Sequence, residues 1–317
     1  MWSFIIRRLL YSIPIYLGIL LLVMAALRIN DPVNAYLGKH ASQEQIDLKR
    51  REMGLDRPFL VQYGSFVANV ATLDFEQPSW RYETKTVGQI LRESAVPSLS
   101  LAIPAFVITT IVSIAVGLIS AYFRGTLIDR ALMTLIVLGM SVSVLVFIIF
   151  GQYFGAYWLK NRFGLNLFAT GGYEPGLGRW AYYLLLPVLI DVVLAMGYDT
   201  RFYRAVMVEE TTRDHVTTAI AKGASKPRLL FVHVLKNAMI PIITRVMISL
   251  PFLIGGSILL ETQFRIPGMG KALIDAITNK DFPVIQAFTA MFAAVFVLST
   301  ILTDVLYALV DPRVRLS

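Results

Sequence analysis

The chain has 317 residues, of which 56% are hydrophobic and 16% charged, and its formal net charge is +8. A soluble domain carries about 25% charged residues, so this composition excludes an ordinary soluble fold before any segment is inspected. There is no cysteine, which excludes disulfides, thiolate metal sites and a cysteine nucleophile.

The N-terminus opens on Arg7 and Arg8, followed by an apolar stretch from Leu9 to Leu27. That stretch is 19 residues long, beyond a signal-peptide core, and Arg28-Ile29-Asn30-Asp31-Pro32 after it offers no small-residue cleavage site. It reads as a retained anchor and first membrane span. Residues 28–93 are polar and read as a small folded segment outside the membrane. Two uncharged stretches follow, Ser94–Phe123 and Ala131–Leu159, and each contains a run of the roughly 20 residues that a bilayer core requires. The fourth candidate, Trp180–Tyr198, carries Asp191. The fifth, Asn237–Leu260, carries Arg245 near its start, where a long side chain stretches toward cytoplasmic water. The sixth begins at Phe282 and meets Asp304 near its end. The fold class is therefore an all-α integral membrane protein of six transmembrane helices. Its organisation reads as a first helix (1–27), an external segment (28–93), a five-helix core (94–310) with a loop at 199–236, and a tail (311–317).

Six crossings put both termini on one side. The short flanks on that side hold 13 basic residues, and the short loops opposite hold six. The positive-inside rule then places both termini in the cytoplasm. The same distribution assigns the excess positive charge to topology and anionic lipid, with no nucleic-acid partner. Pro14, Pro104, Pro187, Pro241 and Pro251 fall within spans, and such kinks suit a conduit better than a rigid anchor.

The loop 199–236 is the most informative part of the chain. Asp214 reads as an N-cap and Gly223 as a C-terminal stop, and Pro227 suits the first turn of a new helix. The spacing predicts helix, tight turn, helix. Leu229, Leu230, Val232, Val234 and Leu235 give the second helix an apolar face. This elbow is too small to be a domain and has to press against something.

Thr218-Ala219, Ala221-Lys222-Gly223, His233 and Leu235 together resemble the cytoplasmic coupling loop of ATP-binding-cassette importer permeases, in the form found in the dipeptide/oligopeptide/nickel family. Four further strings, in order, are similar to that family. They are Ile5-Ile6-Arg7-Arg8-Leu9 with Pro14; Gly54-Leu55-Asp56-Arg57-Pro58 with Gln62-Tyr63; Glu261-Thr262-Gln263-Phe264, Ile266-Pro267-Gly268-Met269-Gly270 and Asp281-Phe282-Pro283; and Asp304-Val305-Leu306-Tyr307 with Asp311-Pro312-Arg313. The order resembles the first of that family's two permeases. The resemblance implies a second homologous permease, two cytoplasmic ATPase subunits that bind ATP and magnesium, an external substrate-binding protein, and a prokaryotic inner membrane. It implies no cofactor in this subunit. It also implies that the ATPases dock on the elbow, through Asp214, Thr218, Ala219, Lys222, Gly223, Ser225, Pro227 and Arg228. Leu73-Asp74-Phe75-Glu76, the loop Asn166–Pro175 and Asp191 depart from the family pattern, and they bear on cargo rather than mechanism.

Other features weigh less. Gly268-Met269-Gly270-Lys271 lacks the first glycine and the final Ser or Thr of a phosphate loop. Asp191, an ionisable group at membrane depth, marks either a pathway or an internal hydrogen bond. Asp304 and Glu261 read as structural. Gly151 and Gly155 have the spacing of a close helix contact, within the chain or between subunits. His40, His215 and His233 have no metal-ligand spacing, and no catalytic set converges, so the subunit reads as non-enzymatic. Two rivals remain at this level. A secondary transporter should show inverted repeats around midplane charges. A membrane assembly protein would leave the kinked spans unexplained.

Overall fold

The computed structural model describes residues 2–29, 33, 37, 42–82, 84–255 and 258–310; for residues 2–5, 177, 251–255, 304 and 306–310 it describes the backbone alone. His40, the side chain of Asp304 and the string Asp311-Pro312-Arg313 therefore lie outside the described residues.

Five helices are long and apolar enough to cross a membrane: Ile6–Leu27, Val87–Tyr122, Gly178–Glu210, Lys226–Leu250 and Phe282–Thr303. A sixth candidate is a bent pair: Leu127–Met140 and Val144–Phe163 meet at 96° and count as one more crossing if they form one span. The stretch Ala131–Leu159, expected to hold the third span, is broken within this pair. Ser141 closes the first helix and Ser143 is the extended N-cap of the next. The Ser141 hydroxyl donates back to the Val137 carbonyl at 2.9 Å, a local bond that competes with helix continuation.

The chain divides into two compact units. The first comprises residues 1–98, 254–258 and 267–305, and the second 99–253, 259–266 and 306–317.

In the first unit, the polar segment after the first helix includes the helices Gln43–Glu52 and Phe59–Thr72. Gln43–Glu52 starts on a reciprocal capping box between Ser42 and Gln45, with acid in the first turn and base in the last. Both features oppose fraying of the helix ends. Phe59–Thr72 turns one aromatic, Phe66, inward against Leu20 and Ala290. Tyr63 Oη donates to the Leu17 carbonyl at 2.8 Å and Tyr16 Oη to that of Ala290 at 3.1 Å. Tyr63 thus ties this segment to the first helix, and Tyr16 ties the first helix to the last. Asp281, buried, organises the loop before Val87. It accepts from the Ser79 hydroxyl and from the backbone N–H groups of Trp80 and Arg81.

In the second unit, helices meet through small residues, as is usual where lipid removes the hydrophobic drive between spans. A Cβ on Gly151 would lie 2.5 Å from Ile190 Cδ1, and one on Gly155 would lie 2.9 Å from Leu186 Cδ1. The contact read from their spacing is therefore intramolecular. It joins this segment to Leu177–Glu210. Gly117 admits the backbone of Arg204, whose nitrogen would sit 3.2 Å from a Cβ there. Around these contacts lie two apolar clusters. One centres on Ile148, Leu184 and Phe264, the other on Tyr203, Met207 and Val234.

Candidate functional site

The elbow grows directly from a membrane helix. Leu177–Glu210 continues 12 residues beyond the apolar stretch read from sequence, so the first third of the 199–236 loop is helical. Arg213 then pairs with Glu209 at 3.1 Å and Glu210 at 3.3 Å, closing the turn. Asp214 was expected as the N-cap. The cap is Arg213, extended at φ −76°, and Asp214 is the first helical residue. There its charge faces the positive end of the helix, which stabilises it without a capping bond.

The helix Asp214–Ala221 is two turns long and amphipathic. Val216 points inward against the cluster of Leu230, Val234, Tyr203 and Met207, and Ala219 is also buried. Ala219 is 6% exposed, so it is not on the outward face assigned to it from sequence. Thr218 is exposed, and its hydroxyl returns to the Asp214 carbonyl at 2.9 Å.

Gly223 ends this helix in the left-handed region at φ +79°. Its N–H donates to the Ile220 carbonyl at 2.9 Å, and the Ala224 N–H donates to Ala219 at 3.1 Å. These two bonds make a Schellman motif, which favours glycine. A Cβ on Gly223 meets nothing within 4 Å. Within this chain, therefore, glycine serves the backbone conformation and not a close approach.

The return strut begins at Lys226–Arg228, with Pro227 in the first turn and Ser225 before it. Lys226 Nζ lies 4.3 Å from the centre of the Tyr122 ring, a cation–π contact. Leu229–Val234 is wound as a π-helix and leads into Leu235–Gly255. Asn237 closes the base. Its amide lies 3.0 Å from His215 Nε2 and donates to the His233 carbonyl at 2.8 Å. The two struts are thus fixed at tip and base.

What remains outward is Thr218, Lys222, Gly223, Ser225, Pro227 and Arg228, all exposed. Beside them stand Ile220 at 57% and Phe231 at 62% exposure. The sequence reading did not single out these two. Ile220 stands one turn after the buried Val216, and Phe231 directly follows the buried Leu230, so their exposure is set by the tertiary packing and not by sequence spacing.

Below the elbow the structure brings together a charged set that sequence reasoning also missed. Arg204 donates to Asp129 through Nε and Nη2, each at 2.8 Å. The Gly125 N–H adds a bond at 3.0 Å, and the Ser120 hydroxyl another. Asp129 is buried and fully coordinated. Arg245, expected to stretch toward water, is instead tied to Asp199 at 3.0 Å. Both pairs hang on the helix that carries the elbow.

Asp191 is half-buried in that helix and makes no hydrogen bond or ion pair among the described residues. Glu261 is fully buried.

The chain matches two families, "Binding-protein-dependent transport system inner membrane component" over residues 113–316 and the corresponding N-terminal family over residues 1–84. It is 33% identical over 317 residues to a "probable peptide ABC transporter permease protein" of Sinorhizobium fredii, covering 99% of this chain and 100% of that one. It is 32% identical over 319 residues to a glutathione transport system permease protein of Shigella flexneri, covering 99% of each.

Proposed function

From the premise that this chain belongs to the inner-membrane components of binding-protein-dependent transport systems, and is thus a membrane permease subunit of an ABC importer, we propose that it forms half of a pathway for short peptides and is driven through its elbow. Both termini and the elbow then lie on the cytoplasmic side. A second homologous permease completes the pathway, two ATPases seat on the paired elbows, and an external binding protein delivers the cargo. ATP and magnesium belong to the ATPases, and this subunit performs no chemistry.

One observation supports the coupling most directly. The elbow is rigid within itself and unsatisfied outside itself. Its inner face is packed by Val216, Leu230 and Val234, while Ile220 and Phe231 stand exposed. Apolar side chains beside exposed basic residues on a short peg fit a groove on a soluble partner. A rigid peg transmits displacement without dissipating it. Closure of the ATPases moves the peg. Asn237 and the Asp129–Arg204 pair pass that motion to the membrane helices, which alternate between two packings.

The test is to recover the tagged chain from membranes of its own cells and identify what accompanies it. The proposal expects a second permease, ATPase subunits and ATP-driven uptake of short peptides in reconstituted vesicles. Uptake driven by an ion gradient, with no ATPase recovered, overturns it.

A further inference from the structure

A second concave site lies in the same unit as the elbow but among different residues. Gly151–Trp158 is π-helical. Its wider turn moves side chains out of α register, and such segments recur at functional sites. Here it sets Gln152, Tyr153 and Tyr157 along one wall of a cavity of about 580 Å³, whose other walls include Thr170, Gln263 and Arg265. That volume lies within the range, about 300–1,000 Å³, that holds a small ligand.

The cavity is a built one. Gln152 Nε2 donates to the Thr170 carbonyl at 3.0 Å and to the Gln263 carbonyl at 3.1 Å, fastening two separate loops to the π-helix. The Gly172 N–H donates to the Phe264 carbonyl at 2.7 Å. A Cβ on Gly171 would fall 3.0 Å from that same oxygen, a tight contact that glycine avoids. Tyr153 and Tyr157 stack with ring centres 5.6 Å apart. Arg265 is held at φ +55°, a conformation costly for a residue with a side chain. Its guanidinium makes no hydrogen bond or ion pair among the described residues. The turn that ends the Ile258–Gln263 helix sets this conformation, with the Arg265 N–H donating to the Thr262 carbonyl and the Ile266 N–H to that of Glu261, and it leaves an exposed guanidinium on the wall of an aromatic cavity.

We propose that this cavity receives the C-terminal carboxylate of a peptide, with Arg265 as its counter-ion and the two tyrosine rings against the adjoining side chain. A planar guanidinium pairs with a carboxylate through two parallel N–H bonds. A lone cation among phenols and amides suits one carboxylate beside peptide groups better than a phosphate cluster. The inference rests on the peptide-importer reading and adds a named specificity residue to it.

The test uses the absence of native cysteine. Thr170→Cys is placed in the complete transporter, in right-side-out vesicles that retain the binding protein, and is labelled on this chain with a membrane-impermeant maleimide. A tripeptide mixture with free C-termini, at ten times its half-saturating concentration, should slow labelling about tenfold by mass action. The same mixture amidated, or inorganic phosphate, should not. Arg265→Gln should remove the protection while the amount of assembled complex stays the same, and Arg265→Lys should keep part of it. ATP-driven uptake of a labelled tripeptide is followed in the same vesicles. Uptake with no protection, with equal protection by the amides or phosphate, or with protection that survives Arg265→Gln overturns the cavity assignment alone. An absence of peptide uptake overturns the importer reading and this inference with it. Failure of the maleimide to reach Thr170→Cys from outside overturns the placement of the cavity.

Discussion

Arg204 grips Asp129 through two nitrogens, each 2.8 Å from a carboxylate oxygen, and the two residues are 75 positions apart in sequence. The pair joins the first turn of the Leu127–Met140 helix to the helix that continues into the elbow. Losing one partner strands the other as an uncompensated charge, at a cost of about 3–5 kcal/mol. Asp129→Ala should therefore lower the unfolding temperature of the purified complex and reduce its yield. Arg204→Lys keeps a charge but loses the two-pronged geometry, so it should lose less. Thermal unfolding in detergent reads both. Equal stability of all three proteins would mean that the pair carries no structural weight.

Topology is testable with single cysteines, since the chain has none of its own. Ser42 and Ser225 are both exposed helix caps, one in the segment after the first span and the other in the elbow. Ser42→Cys should react with an impermeant maleimide added outside, and Ser225→Cys only after the membrane is opened. Ser42→Cys loses a capping bond worth about 1 kcal/mol, which a chain of this size tolerates, and Ser225 makes no side-chain capping bond to lose. Labelling of both from one side would remove the six-crossing arrangement.

Asp191 is a half-buried carboxylate without a partner among the described residues, inside a membrane helix. Such groups commonly mark a transported cation or ammonium group. Asp191→Asn should lower uptake of amine-bearing peptides about tenfold, the effect of roughly 1.4 kcal/mol, and spare N-acetylated ones. Equal loss for both classes would assign the residue to structure.

Much of this was legible from residues alone, for identifiable reasons. The elbow could be read because Gly223, Ser225 and Pro227 punctuate the backbone within five residues, and each acts locally. Five spans could be read because each is one long apolar helix. The break in the third was hidden, since Ser141-Val142-Ser143 is too short and too mildly polar to interrupt a hydropathy average. Gly151 and Gly155 announced a close contact but not its partner, because spacing says nothing about which helix arrives. Asp129 lay unnoticed beside Arg124 and Arg130, where charge counting treats it as loop. Ala219 was placed outward because a motif gives residue identities without helical phase.

The central claim, that the elbow is where ATP hydrolysis is felt, is tested most directly at Gly223. Nothing in this chain occupies the space of a Cβ there, so substitution costs only the left-handed backbone, about 1 kcal/mol. Asn tolerates that conformation better than most residues. Gly223→Asn and Gly223→Glu should therefore both assemble in the membrane and retain the second permease. Hydrolysis and uptake in vesicles containing the whole complex are then compared. The account predicts that Gly223→Glu loses either the ATPase subunits or substrate-stimulated hydrolysis, and with it uptake, while Gly223→Asn keeps the larger share of each. Full ATPase retention, hydrolysis and uptake in Gly223→Glu would contradict it.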